Sequence, residues 1–118
     1  MDDHRIALST NDFKNLSTDP FGKSHYFTVY RLQAEAVTKI DTRENVLFRQ
    51  ACGLQGRAEH LHGLLGDVRT LVGATFETEV RQALEEQGHR IMAVSERHFD
   101  AVLDRMQRIH GTGQYAAH

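Results

Sequence analysis

The sequence predicts an all-α fold: a small antiparallel helical bundle with a long, heptad-patterned central helix and a polar N-terminal arm. Three observations predict it. Leu47, Ala51, Leu54, Ala58, Leu61, Leu65, Val68 and Val72 recur in alternating steps of four and three, the spacing of a seam between packed helices. No segment alternates apolar and polar residues over a useful length, as a half-buried strand would. A chain of 118 residues with 40% hydrophobic and 25% charged content is enough for one soluble core without staples.

The elements follow in chain order. Residues 1–23 read as the arm, because Ser9-Thr10-Asn11-Asp12 and Ser17-Thr18-Asp19-Pro20 are rich in cap and turn formers. A short helix fits from about Asp12 to Leu16, and Phe13, Leu16 and Phe21 tack the arm onto the body or onto a second subunit. The bundle spans 24–111. It opens with Ser24 as N-cap, followed by Tyr26, Tyr30, Val37 and Ile40 at helical spacing. The central seam comes next. Asp41-Thr42-Arg43-Glu44 reads as a capping box inside it, which leaves one long helix and two shorter ones both open. Phe76, Val80 and Leu84 form a shorter stripe that stops at Gly88. A last helix carries Ile91, Val94, Phe99, Val102, Met106 and Ile109, with Ser95 as an internal cap if the element is broken, before a flexible tail over 112–118.

Charge and composition exclude some function classes. A net charge of −2 without a basic stripe argues against nucleic acid. A mean hydropathy of −0.49 without a long apolar run argues against a membrane. The single cysteine, Cys52, and the lack of a secretory leader pattern suggest the cytoplasm. Eight histidines let the charge swing with pH.

Gly53, Gly56, Gly63, Gly66 and Gly73 fall within the strongest helical pattern, where each costs roughly 1 kcal/mol relative to alanine. Gly53 and Gly73 suit helix stops. The inner glycines trace a slanted line, so Gly56, His60, Gly63, Leu64 and Gly66 are the candidate interaction groove. A seam from Leu47 to Val72 would be about 39 Å long and calls for partner helices. The expected function is therefore a cytoplasmic interaction or regulatory adaptor that pairs with another protein and with itself as a homodimer, without cofactor and without catalysis.

Two alternatives stand beside it. Glu59 with His62, and Glu86 with His89, repeat the Glu-x-x-His arrangement of carboxylate-bridged di-iron bundles, which makes these four the candidate ligands for a divalent metal or small ligand. Glu35 and Glu79 are the only candidates for bridging carboxylates. Glu59-His60-Leu61-His62-Gly63 also resembles, over five residues, the His-x-Leu-Lys-Gly motif of histidine phosphotransfer domains, with glutamate at the phosphorylated position. Phosphotransfer through the neighbouring His60 is the further alternative, because Gly56 and Gly63, one turn to either side, would leave its imidazole on a surface bare of side chains.

Overall fold

The structure is a computed structural model that describes residues 4–33, 36–46 and 54–112. It is an α/β fold, with strands β1 (His4–Thr10), β2 (Tyr26–Leu32), β3 (Val37–Glu44), β4 (Thr70–Gly73) and β5 (Arg90–Ala93). The helices are α1 (Leu54–Leu64), α2 (Thr78–Glu86) and α3 (Phe99–Thr112), with a 3₁₀ turn at Phe21–Lys23. The strands form one mixed sheet in the order β3-β2-β1-β4-β5. β1, β4 and β5 run parallel, and β2 is antiparallel to both β1 and β3.

Strand alternation sorts the core into two halves. Ala7, Phe27, Val29, Leu71 and Ile91 pack with Leu61 and Leu65 of the α1 region and Val80 and Leu84 of α2. Ile6, Leu8, Leu32 and Val72 point to the opposite face and pack with Phe99, Val102 and Met106 of α3. The result is three layers, with two helices on one side of the sheet and one on the other.

This architecture overturns the all-α bundle. The supposed polar arm contributes β1, a central strand whose Ile6, Ala7 and Leu8 are all fully buried. A strand covered on both faces reads as a short continuous apolar run, so it carries no period of two. The expected first helix is the β2–β3 hairpin, and Ser24 is buried ahead of β2 instead of capping a helix. In place of a short helix, Asp12 to Lys14 forms bends held by Asp12 Oδ1, which accepts from Lys14 N and Asn15 N at 2.9 and 2.8 Å, and Asn15 and Leu16 make isolated bridges to His98 and Thr10.

The long seam does not exist as one helix. Ala58 and Leu61 face inward from α1, Leu65 and Val68 lie in the following turn, and Val72 belongs to β4. A helix, a turn and a strand can each bury residues three or four apart, and the linear pattern cannot separate the cases. Leu47, Ala51, Cys52, Gly53, Glu35 and the tail beyond residue 112 lie outside the described residues. The last helix starts at Phe99, because Ile91 is in β5, and His98 Nδ1 accepts from Asp100 N at 3.1 Å near its start.

Two glycines have specific reasons. Gly73 ends β4 where a Cβ would stand 3.1 Å from both the Phe21 ring and Ser9 Oγ, so a bare backbone is what lets Phe21 seat there. Gly88 has φ +99° and turns the chain from α2 into β5, in keeping with the helix stop expected at that position.

Candidate functional site

The two ends of the parallel strands differ in construction. At the amino end, His62 on α1 and His89 before β5 meet with Nδ1 and Nε2 2.9 Å apart. His89 Nδ1 donates to Val68 O at 2.9 Å, so the neutral His89 offers Nε2 as acceptor to a proton on His62 Nδ1. Burial holds the His89 pKa below the ordinary imidazole value, against the carbonyl of Val68, which favours the charged ring, and with the help of His62 beside it. His4 Nε2 hydrogen-bonds Thr70 Oγ1 at 2.9 Å. Asp67 receives Arg43 at 2.5 and 2.9 Å and Arg5 at 2.7 Å, and those guanidinium bonds, Arg43 first, hold its carboxyl well below the usual carboxylate range. Polar groups here satisfy one another.

The carboxyl end is built around the loop from Asn11 to His25. Ser17 N donates to Ser9 O of β1 at 3.0 Å, Phe21 N to Thr75 O beyond β4 at 2.9 Å, and Leu16 N to Arg97 O beyond β5 at 2.7 Å. The loop therefore ties the exits of all three parallel strands. Leu16 enters the α3-side core and Phe21 the opposite one, so it also passes over the sheet from face to face. Phe21 stacks on Phe76 with ring centroids 4.8 Å apart, closing the space above Ser9 and Gly73.

This end carries the strained and uncovered groups. Phe13 has φ +66°, a left-handed backbone that a bulky side chain seldom adopts. Its ring is 47% exposed and lies 4.6 Å from that of Tyr26, with His25 adjacent. Val46, which follows β3 at the same end, is 60% exposed. Ser9 Oγ, Ser24 Oγ and Arg57 Nε are buried and find no hydrogen-bond partner among the described residues. Arg57 Nη1 donates to Glu77 Oε1 at 2.9 Å, joining α1 to the start of α2. Asn45 Nδ2 donates to Gly22 O and Ser24 O, both at 2.9 Å. That leaves Asn45 Oδ1 to accept from His60 Nε2 at 3.1 Å, and burial lowers the His60 pKa.

The expected site residues are distributed as follows. Gly56, His60, Gly63 and Leu64 lie on α1 and Gly66 in the turn after it; Gly56, Gly63 and Gly66 are exposed, whereas Leu64 is half-buried against the core. His60 turns toward Asn45, which ties it to the support of the carboxyl-end loop. His62 and His89 are brought together from 27 positions apart, while Glu59 and Glu86 stay on exposed helix surface. Among the described residues no group of three or more His, Cys, Asp or Glu is placed to hold a metal ion. Sequence reasoning gave no site role to Phe13 and Tyr26, which it read as packing residues, or to His25, Asn45 and Arg57. The signal available was the turn-rich stretch from Asn11 to Pro20 interrupted by a solitary aromatic, which points to a built loop more than to a loose arm.

The family model described as dinitrogenase iron-molybdenum cofactor matches residues 3–109, and the chain belongs to that family. No curated protein matches it. Membership points to a function connected with a metal cluster and overturns the helical signalling adaptor. It gives no support to a helical bundle binding metal or small ligands through histidines, and the phosphotransfer alternative falls with the bundle on which it rested. No helix among the described residues is long and apolar enough to cross a membrane.

Proposed function

We propose that this protein holds a molybdenum–iron–sulfur cluster, or a precursor of one, as cargo at the carboxyl end of its sheet. The observation that carries the proposal is the family match, which runs from before β1 almost to the end of α3 and so takes in the whole α/β unit. Location is argued from the fold. In open α/β sheets ligands bind beyond the carboxyl ends of the strands where the strand order reverses, here between β1 and β4.

The chemistry at that end supports the same assignment. Iron in sulfide clusters takes thiolate sulfur and, in some centres, imidazole nitrogen. His25 immediately precedes β2 at this end, and Cys52, which lies outside the described residues, is the one thiol the sequence supplies. The exposed Phe13 and the half-buried Tyr26 beside it offer an apolar wall that shields one side of a bound cluster from water. Lys14 and Lys23, both exposed, place positive charge in the same loop for an anionic cargo. Cargo of this kind, with a lone cysteine, suits the reducing cytoplasm.

The test is anaerobic incubation of the purified chain with isolated iron–molybdenum cofactor, followed by gel filtration and assay of both metals in the protein peak. Stoichiometric molybdenum and iron are expected to co-elute. Their retention falls in His25→Ala and Cys52→Ala and is unchanged in His62→Ala at the opposite end. Failure of either metal to travel with the wild-type chain overturns the proposal, and loss only in His62→Ala overturns its location.

A further inference from the structure

The sheet has two outer strands, and they are protected very differently. β3 is eight residues long, carries Lys39, Asp41, Arg43 and Glu44, and has a register irregularity opposite Val29 and Tyr30. Bulges and mixed charges are how sheets discourage a further strand. β5 has neither. Arg90 N donates to Arg69 O at 2.8 Å and Val94 N to Gly73 O at 3.0 Å, so these residues turn their backbone groups toward β4. By strand alternation the N–H and C=O of Ile91 and Ala93 turn the other way. No strand among the described residues pairs with β5 on that side.

An open groove of about 760 Å³ runs along this edge, lined in part by Arg69, Arg81, Glu85 and Arg90. Arg69 and Arg81 are exposed, and the nearest carboxylate to Arg81 is Glu85 at 3.7 Å. Arg69 and Arg81 against the single lining carboxylate of Glu85 make a cationic border in a chain whose net charge is −2.

We infer that the β5 edge docks an extended, acidic segment of a partner protein as a sixth strand. Ile91 and Ala93 supply main-chain hydrogen bonds to the incoming backbone, and the arginines pair with its carboxylates. A second copy of this chain is the poorer occupant. Two β5 edges laid antiparallel would bring the Arg69 and Arg81 of both copies together with only two lining carboxylates, and like charges across an interface are costly. The short edge allows few main-chain bonds, so attraction to the arginines is the larger share and binding weakens with salt.

Amide hydrogen exchange on the full chain tests this at low salt, with a synthetic peptide of alternating glutamate and valine as probe and its lysine–valine counterpart as control. The acidic peptide is expected to slow exchange at Ile91 and Ala93 by about tenfold or more and to leave the β3 edge unaffected. The effect disappears in the double variant Arg69→Glu, Arg81→Glu, both surface positions whose folding is checked by circular dichroism. Equal protection by the lysine peptide, no protection at millimolar acidic peptide, or protection that appears with protein concentration alone each overturns the inference. These outcomes are separate from cluster retention at the carboxyl end, which is read by metal assay.

Discussion

The amino and carboxyl ends of the same parallel strands are assembled on opposite principles. At the amino end the polar side chains are matched: Asp67 between two arginines, His89 between His62 and Val68, His4 on Thr70. At the carboxyl end Phe13 is strained and exposed, Val46 is exposed, and Ser9, Ser24 and Arg57 keep buried polar atoms unpartnered among the described residues. Buried polar groups are normally satisfied, and strain persists where the surrounding structure imposes it. The contrast teaches that one end serves as the clamp that holds the sheet, which leaves the other free to carry groups a clamp would not tolerate.

Breaking the support of the carboxyl end gives the largest expected effect. Phe21→Ala removes a fully buried ring stacked on Phe76 and packed against Phe27, and is expected to cost about 3 kcal/mol in urea denaturation. The loop from Asn11 to His25 loses its anchor with it, so cluster retention falls as well.

At the amino end the expected loss is smaller. His89→Ala leaves Val68 O and His62 Nδ1 without their partner and costs about 2 kcal/mol. The same histidine sets a pH dependence. Its folded pKa lies below the unfolded value of about 6.5, so its contribution is complete above that pH and is lost as pH falls through the folded pKa. Thermal melting is expected to shift downward between pH 7.5 and 5.5, and less steeply in His89→Gln; a melt that rises on acidification would contradict the assignment. His60, whose pKa is also lowered by burial, adds a contribution of the same sign.

The smallest change sharpens the comparison most. Phe13→Asn places a residue that tolerates the left-handed backbone where a bulky aromatic now sits, and the tilted ring contact with Tyr26 that it gives up is made by a half-exposed side chain. Stability is expected to hold or to rise by up to about 1 kcal/mol while cluster retention falls. A variant that loses stability and keeps its cargo would show that Phe13 serves packing alone.

Parts of this molecule could be read along the chain. The stripe of Val80 and Leu84 ending at Gly88 is α2, and Val102 with Met106 lines the buried face of α3. Both helices have one face on the core and one in water, which is the condition under which a period near 3.6 is visible in sequence. β1 and β4 were illegible because they are covered on both faces and are too short for a run of three or four apolar residues to be told from a helical turn. Of the candidate site residues, His62 and His89 were singled out by spacing on a supposed bundle. They meet instead because the α2–β5 turn folds back on the end of α1.

By itself the sequence determined the apolar and charged composition, the near-neutral charge and the two amphipathic helices. Those are properties of local composition and of side chains that alternate between core and water. Tertiary structure alone decided the sheet, the pairing of His62 with His89, and the left-handed Phe13 held over the strand exits. Strand pairing and loop closure depend on residues far apart in the chain, and hydrogen bonds between distant backbone segments leave no period in the sequence that makes them.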